Sequence, residues 1–311
     1  MSENKSQYIG RYAPSPTGRL HLGNLRTALL AWLHARLNKG QWLLRFDDLD
    51  TPRLVVNSDE QIKSDLTALG LYWDGEPYYQ SQHINDYQMA LDALDKRNLI
   101  YNCYCSRKDI QQALSAPHGK TAVYPGTCQY LSKVEQAQKA EKKTPAMRLR
   151  VGQAEVDFVD GVLGRQQQLL ARECGDFVIR RADGLFAYQL AIVIDDIQHG
   201  VTDVVRGADL LDSTARQLYL FELLQDHKRL PTFWHMPLLT DDVGKRLAKR
   251  DGSDSLGEWL DSGKTSEQLI AQFAHELDLL TAPEPAISAA ELLDSLTLEQ
   301  FQRCLVACRS C

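Results

Sequence analysis

The stretch from residue 8 to residue 26 constrains the fold of this chain more than any other. A short apolar segment runs into a loop rich in Pro, Ser and Gly, and an amphipathic helix is predicted to begin near Asn24. A strand, a tight loop and a helix N-terminus in this order hold phosphate groups in Rossmann-type sheets. Gly18 and Gly23 let the backbone approach a ligand, and His21 precedes the helix, where it can donate to a phosphoryl oxygen. For a lone His-x-Gly, an ordinary βα turn with a surface histidine is the simpler interpretation.

The composition is that of an ordinary globular protein. Of 311 residues, 44% are hydrophobic and 24% are charged. The net charge of −6 argues against broad, non-specific affinity for nucleic acids, although one local basic face could still bind RNA. No segment approaches the roughly 18 consecutive apolar residues of a membrane span, and the N-terminus lacks a signal-peptide pattern. The seven cysteines have no framework spacing, so we expect a reduced, cytoplasmic protein that is not bound to a membrane.

The whole run from Arg11 to Asn24 reads Arg-x-Ala-Pro-Ser-Pro-Thr-Gly-x-Leu-His-Leu-Gly-Asn. It resembles the first signature of class I aminoacyl-tRNA synthetases, and its Pro-rich loop is similar to that of the glutamyl branch. The resemblance implies an α/β fold with a Rossmann-type parallel sheet, and it makes His21 a catalytic residue. It further implies ATP contacts from Pro14, Thr17, His21, Gly23 and Asn24. Glutamate contacts are implied for Arg11, Tyr12, Ala13, Pro14 and Ser15.

Carboxylates follow the next predicted strand, Gln41 to Phe46, as Asp47, Asp48 and Asp50. Ligands of open α/β sheets bind beyond the carboxyl ends of the strands, but such a cluster is equally typical of a turn with a helix cap. Glutamyl enzymes carry a glutamate at the position of Asp47, where it receives the substrate ammonium group. The resemblance therefore implies that Asp47 binds glutamate. Because its side chain is one methylene shorter, we expect a water-bridged contact.

A second informative region is rich in cysteine. Cys103 and Cys105 form a Cys-x-Cys pair and Cys128 follows a Gly-containing loop, which is compatible with tetrahedral zinc if a fourth ligand is present. By side-chain chemistry alone His118 is slightly favoured for that place, and three ordinary buried cysteines are the simpler alternative for Cys-x-Cys by itself. The pattern Cys-x-Cys…Tyr-x-x-x-Cys resembles the zinc element of one synthetase subfamily, which implies Tyr124 as the fourth ligand.

The segment from Phe177 to Ile194 is predicted to be a hairpin that continues into a strand buried on both faces. A further strand is predicted to end at Arg206, with a helix after it. Both stretches resemble the glutamyl family, and the resemblance implies substrate contacts from Tyr188 and Arg206. A side-chain carboxylate calls for a guanidinium partner, and Arg11 and Arg206 both lie at predicted loop mouths.

The basic run from Lys245 to Arg250 is, taken alone, a typical surface loop. Its phrase Arg-Leu-Ala-Lys-Arg resembles the second class I signature, in which a Lys and a Ser occupy the places of Arg246 and Ala248. Lys249 matches the lysine that meets the triphosphate in the transition state. The resemblance thus implies ATP contacts from Arg246 and Lys249 and a catalytic role for Lys249. Ala248 has no hydroxyl group with which to form the hydrogen bond of the serine.

We predict four parts: the first half of the catalytic domain (1–100), an inserted α+β zinc module (101–175), the second half of the catalytic domain with the second-signature loop (176–252), and a short helical C-terminal region (253–311). One helix of this last region is predicted over 288–308. Glutamyl-tRNA synthetases continue beyond such a region as an anticodon-binding domain, and no sequence of that kind follows here.

This combination is similar to the glutamyl-Q tRNA(Asp) synthetases, a family that activates glutamate without tRNA and esterifies the queuosine base of tRNA(Asp). The implied partners are L-glutamate, ATP with Mg²⁺ and queuosine-containing tRNA(Asp), with one structural Zn²⁺ in a monomeric chain. Three alternatives remain open: a truncated glutamyl-tRNA synthetase charging tRNA(Glu), a non-catalytic tRNA-binding paralogue, and a nucleotidyltransferase acting on a small metabolite.

Overall fold

The structure is a computed structural model in which residues 7–106, 108–110, 123–225, 229–237, 255–280, 282 and 284–307 are described. The strands are β1 (Ile9–Tyr12), β2 (Gln41–Phe46), β3 (Tyr78–Tyr79), β4 (Ile100–Cys103), β5 (Ala146–Leu149), β6 (Glu155–Asp160), β7 (Gly164–Leu169), β8 (Phe177–Arg180), β9 (Asp203–Gly207) and β10 (Thr232–Met236).

Among the described residues the helices are α1 (Leu22–Leu37), α2 (Ser58–Ala68), α3 (Ile84–Lys96), α4 (Lys133–Ala140), α5 (Leu170–Glu173), α6 (Tyr188–Gln198), α7 (Leu211–Leu224), α8 (Leu256–Asp261), α9 (Ser266–Glu276), α10 (Ala289–Ser295) and α11 (Leu298–Ala307). Short 3-10 turns cover Thr51–Arg53, Gln80–Gln82 and Ala208–Leu210. None of these helices combines the length and the apolar character needed to cross a membrane.

The central sheet has five parallel strands in the order β10-β9-β1-β2-β3. Helix α1 connects β1 to β2 and is buried around most of its circumference, because it lies between the sheet on one side and helices α10 and α11 on the other. Helices α6 and α7 pack on the opposite face, where Val204 and Phe221 belong to one hydrophobic core. The parallel sheet covered by helices on both faces confirms the predicted α/β class.

A second, antiparallel sheet interrupts the parallel one in sequence. Strands β4, β5 and β8 pair in the order β4-β5-β8, and β6 and β7 form a separate hairpin that packs against β10. The turn of this hairpin is held tightly, because a Cβ added at Gly161 would lie 2.2 Å from the Trp234 ring. The β6–β7 hairpin is therefore fixed to the end of the sheet that carries β9 and β10.

The prediction of a strand ending at Ile194 is wrong, because this apolar run forms helix α6. The segment Leu190 to Ile194 is fully or nearly fully buried, since α6 packs against α3, α7 and β8. An uninterrupted apolar run carries no periodicity that separates a buried strand from a buried helix. The hairpin before it is reduced to one bridge, Arg180 with Phe186, and Gly184 takes its turn at φ 90°.

The helix predicted over 288–308 is interrupted. Helix α10 ends at Ser295, Leu296 is extended at φ −112° and ψ 143°, and α11 begins at Leu298. The Thr297 hydroxyl accepts from the Gln300 amide at 3.2 Å, while the Gln300 side chain accepts from the Thr297 amide at 2.9 Å. This reciprocal cap begins a new helix and explains the break.

Candidate active site

The first-signature loop lies beyond the carboxyl end of β1 and is anchored by the segment that follows β2. The Asp47 amide donates to the Pro14 carbonyl at 3.0 Å, and the Val55 amide donates to the Pro16 carbonyl at 3.0 Å. The Ser58 hydroxyl accepts from the Gly18 amide at 3.0 Å and donates to its carbonyl at 2.8 Å. The segment after β2 thus fixes the backbone of the loop, while the exposed side chains of the loop point to solvent, where a ligand can reach them.

His21 occupies the N-cap position of α1 but does not cap the helix with its side chain. The imidazole is exposed, and no acidic residue lies in the first turn. A helix N-terminus of this kind presents amide hydrogens and a positive dipole end to an anion. Thr17 and Asn24 are exposed beside it, Gly23 is half-buried, and Pro14 is buried in the loop.

Tyr12 lies apart from the other predicted glutamate contacts. Its side chain is buried, stacks on Trp42 with ring centroids 6.0 Å apart, and donates to the Asn24 carbonyl at 3.3 Å. Any contact from Tyr12 to a ligand must therefore come from its main chain. Ala13 is half-buried and Ser15 is exposed on the same loop.

A buried network of charges lies at the bottom of the site. Arg11 Nε donates to Asp196 Oδ1 at 3.2 Å, and Arg45 Nη1 donates to the same oxygen at 2.6 Å. Arg45 Nε donates to Asp47 Oδ1 at 2.9 Å. Burial alone would raise the pKa of Asp196, but the two guanidinium groups outweigh it and hold that pKa below its usual value. Asp196 thereby joins β1, β2 and α6 and orients Arg11.

Asp195 completes the network with neutral donors. Its carboxylate accepts from the hydroxyl of Tyr87 at 2.8 Å, from the hydroxyl of Tyr78 at 3.1 Å and from Gln80 Nε2 at 2.7 Å. Arg45 Nε lies 3.6 Å from Asp195 Oδ2. Burial raises the pKa of Asp195 despite this arginine.

Asp47 is buried at the edge of this network. Desolvation raises its pKa from 3.8 to about 6, although Arg45 acts in the opposite direction. Its neighbour Asp48 serves a structural purpose, because its carboxylate accepts from the amide and the hydroxyl of Ser81 at 2.8 and 2.5 Å. Of the two carboxylates, Asp47 is the one that interacts electrostatically with the predicted substrate residues Arg11 and Tyr188.

Arg206 lies at the end of β9 and is 5% exposed. Nε donates to His235 Nε2 at 3.0 Å, Nη1 donates to Gln217 Oε1 at 2.7 Å, and Nη2 donates to Thr214 Oγ1 at 2.8 Å. Every one of these acceptors is neutral, and none of the ion pairs among the described residues includes Arg206. Desolvation accordingly lowers the pKa of Arg206 to about 10.

The structure brings four of the predicted glutamate contacts together: Arg11, Asp47, Tyr188 and Arg206. Tyr188 begins α6 and is 39% exposed, and the charges of the other three act on the pKa of its hydroxyl. The cations can bind a side-chain carboxylate and the Asp47 carboxylate can bind an ammonium group. This arrangement is suited to an α-amino acid with an acidic side chain.

The predicted metal ligands also converge. The sulfur atoms of Cys103, Cys105 and Cys128 lie within 4.8 Å of one another. The Tyr124 hydroxyl lies 3.4 Å from Cys103 Sγ and 3.9 Å from Cys105 Sγ, and it accepts from the Cys128 amide at 2.9 Å. Desolvation raises the pKa of the Cys105 thiol to about 12, whereas hydrogen bonds and Arg148 lower the pKa of Cys103 despite its burial. Sulfur-rich donors in such a cluster fit zinc.

The comparison with known proteins places the chain in a family. Residues 9–285 match the model "tRNA synthetases class I (E and Q), catalytic domain". The chain is 46% identical over 275 residues to a glutamyl-Q tRNA(Asp) synthetase of Nocardia farcinica, with 88% of this chain and 86% of the relative covered. It belongs to the glutamyl-Q tRNA(Asp) synthetase family. A second member, from Symbiobacterium thermophilum, is 43% identical, and the match covers 94% of each chain.

Among solved structures, the glutamate-tRNA synthetase of Elizabethkingia anophelis superimposes with a TM-score of 0.80 at 26% identity. The match covers 95% of this chain and 66% of that one, so this chain spans about two thirds of its length. This similarity confirms the predicted class I synthetase fold for this member of the glutamyl-Q family.

Several residues that support the site in this family member have no signal in the sequence that marks them as functional: Asp160, Asp196, Gln217 and His235. Asp196 follows the apolar run that is predicted as a strand, and the other three belong to no local motif. Arg45 lies two residues before Asp47, in the place of the arginine of the glutamyl motif Arg-x-Glu-Asp-x-Asp. Three further predicted residues, His118, Arg246 and Lys249, lie outside the described residues.

Proposed function

We propose that this chain activates L-glutamate with ATP and transfers it to the queuosine base of tRNA(Asp). The observation that carries the first half is the buried Arg206, which contacts no carboxylate among the described residues. The second half is supported by the relatives at 43–46% identity, which are glutamyl-Q tRNA(Asp) synthetases. A desolvated cation without a carboxylate partner is costly in a folded protein and favours an anionic ligand.

In the proposed first step, an α-carboxylate oxygen of glutamate forms a bond to the α-phosphorus of ATP. The bond from that phosphorus to the bridging oxygen breaks, and pyrophosphate leaves. Arg11 and Arg206 bind the side-chain carboxylate, and Asp47 and Tyr188 bind the amino-acid end, where Asp47 receives the ammonium group. The site acts chiefly by holding the two reactants in line.

The proposed ATP contacts come from the first-signature loop and from the second-signature loop. His21 and the amides near Gly23 and Asn24 stabilise charge developing on the phosphates, with Mg²⁺ carried by ATP. Lys249 and Arg246, which lie outside the described residues, are proposed from the resemblance to supply positive charge to the triphosphate. In the second step a hydroxyl of the cyclopentene ring of queuosine attacks the glutamyl carbonyl carbon, and AMP leaves.

For the cysteine cluster we propose one structural Zn²⁺ held by Cys103, Cys105, Cys128 and Tyr124. Arg148 supports the phenol, since its guanidinium carbon lies 3.8 Å from the centre of the Tyr124 ring. Zinc analysis of the purified protein is expected to give about one ion per chain. Tyr124→Phe should lower that content in the presence of a competing chelator, while Cys174→Ser, a free thiol outside the cluster, should not. If His118→Ala removes the metal and Tyr124→Phe does not, the proposed ligand set is wrong.

We also propose a cytoplasmic, monomeric protein. None of the five cysteines of the described residues forms a disulfide, which suits a reducing compartment.

The function is tested by glutamate-dependent ATP–pyrophosphate exchange in the absence of tRNA, with aspartate and glutamine in parallel. Transfer of labelled glutamate is then measured on tRNA(Asp) with and without queuosine and on tRNA(Glu). We expect exchange with glutamate and transfer only to the queuosine-containing RNA. Charging of tRNA(Glu) would replace the proposal with a truncated glutamyl-tRNA synthetase, and lack of exchange with any amino acid would refute activation.

A further inference from the structure

Arg206 is connected through β10 to the hairpin β6–β7. Its Nε hydrogen is donated to His235 Nε2 at 3.0 Å, and His235 Nδ1 lies 2.6 Å from Asp160 Oδ2. Asp160 and His235 are 2% and 0% exposed, so this chain of contacts is removed from water. A buried histidine between an arginine and a carboxylate has only one arrangement of its hydrogen atoms that satisfies both neighbours.

That arrangement follows from donor chemistry. A guanidinium nitrogen can only donate, so His235 Nε2 must be the bare, accepting nitrogen. The ring proton then lies on Nδ1 and is donated to Asp160. Burial lowers the pKa of His235 despite the nearby carboxylate, which favours the neutral ring. A protonated or differently tautomeric His235 would point a hydrogen at the Nε hydrogen of Arg206 and displace the guanidinium.

The orientation of Asp160 is itself fixed by backbone amides. Its Oδ1 accepts from Leu163 at 2.9 Å, from Val162 at 3.0 Å and from His235 at 3.3 Å. The turn that supplies two of these amides is held to the sheet, because the Gly161 amide donates to the Phe233 carbonyl at 2.8 Å. Only Oδ2 therefore faces the imidazole.

We propose that Asp160 and His235 are positioning residues that set the Arg206 guanidinium for the side-chain carboxylate of the amino-acid substrate. The inference rests on the proposed function, because it takes glutamate to bind at Arg206. It assigns the β6–β7 hairpin a part in amino-acid selection, since the hairpin supplies the carboxylate that fixes the tautomer. Neither residue touches the substrate in this assignment.

Asp160→Asn is the most informative variant, because it keeps the shape of the side chain and replaces the oxygen that accepts from His235 with an NH₂ group that donates. The three amides require an oxygen at Oδ1, so the new NH₂ group must face His235 Nδ1. His235 must then accept at Nδ1 and carry its proton on Nε2, against Arg206. We expect the KM for glutamate in pyrophosphate exchange to rise roughly 10- to 100-fold, as for the loss of a hydrogen bond to a charged group, with an unchanged KM for ATP.

Two controls separate positioning from a structural role. Asp157→Asn makes the same chemical change on the same hairpin, where Asp157 forms a surface ion pair with Arg165, and should change neither KM. His235→Gln supplies an amide oxygen that can accept from Arg206 whichever residue stands at 160. In that background Asp160→Asn should raise the KM for glutamate by less than about threefold, because the two residues act as a unit. Equal effects in both backgrounds would overturn the proposal.

The decisive readout is made on the wild-type protein, and His235→Gln serves only to assign the signal. In protein labelled with ¹⁵N at the histidine rings, His235 is identified by the signal that disappears in His235→Gln. We expect a proton on Nδ1 and a bare Nε2 in the wild-type protein. A proton on Nε2 would overturn the positioning role even if exchange with glutamate is normal. Conversely, absence of exchange would refute the proposed function, and the ring signals would still decide the tautomer.

Discussion

Arg45 and Arg206 are both buried arginines at the same sheet, but their surroundings are opposite. Arg45 is bonded to Asp47 and Asp196 and lies near Asp195, whereas Arg206 has only neutral acceptors among the described residues. The surrounding carboxylates raise the pKa of Arg45 against the effect of burial, and desolvation lowers the pKa of Arg206 to about 10. Arg45 is balanced by carboxylates in direct contact, and Arg206 contacts none among the described residues, which is why we propose that it binds an anionic ligand.

This difference separates residues that build the site from residues that bind at it. A balanced cluster holds β1, β2 and α6 together in either the presence or the absence of substrate. A buried cation with no counter-charge gains most when an anion arrives, because its own desolvation has already occurred on folding. Arg11 stands between the two cases, since its Nε is bonded to Asp196 and its terminal nitrogens form no hydrogen bond with the described residues.

The largest effect on stability is expected for Arg45→Met. The change leaves three carboxylates buried with fewer cations, so the free energy of unfolding should fall by about 3–5 kcal/mol. Denaturant unfolding monitored by circular dichroism measures this. A decrease no larger than that of a surface substitution would show that the network does not stabilise the fold.

For Arg206→Met we expect a small effect on stability and a large effect on activity. Removing a desolvated cation offsets the cost of leaving its acceptors unpaired, so stability should change by no more than about 2 kcal/mol. The kcat/KM for glutamate in pyrophosphate exchange should fall by at least about 100-fold. Unfolding and pyrophosphate exchange should be measured in parallel on Arg45→Met and Arg206→Met. Equal losses of stability and equal losses of kcat/KM in the two variants would contradict the comparison.

A smaller effect concerns pH. Because the pKa of Asp47 is raised to about 6, the carboxylate is protonated in the folded protein below that pH. The KM for glutamate should therefore rise up to about tenfold for each pH unit below 6 and level off above it. The sign for folding is opposite: the raised pKa favours the folded state at low pH, and this contribution is lost as pH rises from about 4 to 6.

Asp47→Asn provides the control, since residue 47 then cannot titrate. The pH dependence of the KM for glutamate should disappear, and so should the contribution of residue 47 to the pH dependence of unfolding. The contribution of Asp195 to unfolding, whose pKa is also raised by burial, should remain. If the KM profile of Asp47→Asn between pH 5 and 7 matches that of the wild type, Asp47 does not bind the substrate ammonium group.

The sequence predicts the parts of the fold and site that are encoded locally. The strand, loop and helix around His21 follow from turn residues and a helix start, and the cysteine cluster follows from spacing. The prediction for the run ending at Ile194 is wrong because burial on all sides erases the periodicity that identifies a helix. The first-signature motif predicts Tyr12 as a glutamate contact. Its side chain nevertheless points into the core, because side chains alternate between the two faces of strand β1.

The supporting network could not be found in the sequence, because its members meet only in the fold. Arg11 is 185 residues from Asp196, and Asp160 is 75 residues from His235. Charged or polar residues in isolation are typical of surfaces, and only burial shows which of them must be paired. The distinction between Arg45 and Arg206 depends on these long-range partners.

The most direct test of the central claim is the ratio of kcat/KM for glutamate to that for glutamine in pyrophosphate exchange by the wild-type protein. If Arg206, which contacts no carboxylate among the described residues, selects a carboxylate substrate, the neutral amide should be disfavoured by at least about 100-fold. The ratio should collapse toward unity in Arg206→Met. Comparable values for glutamate and glutamine in the wild-type protein would contradict the account.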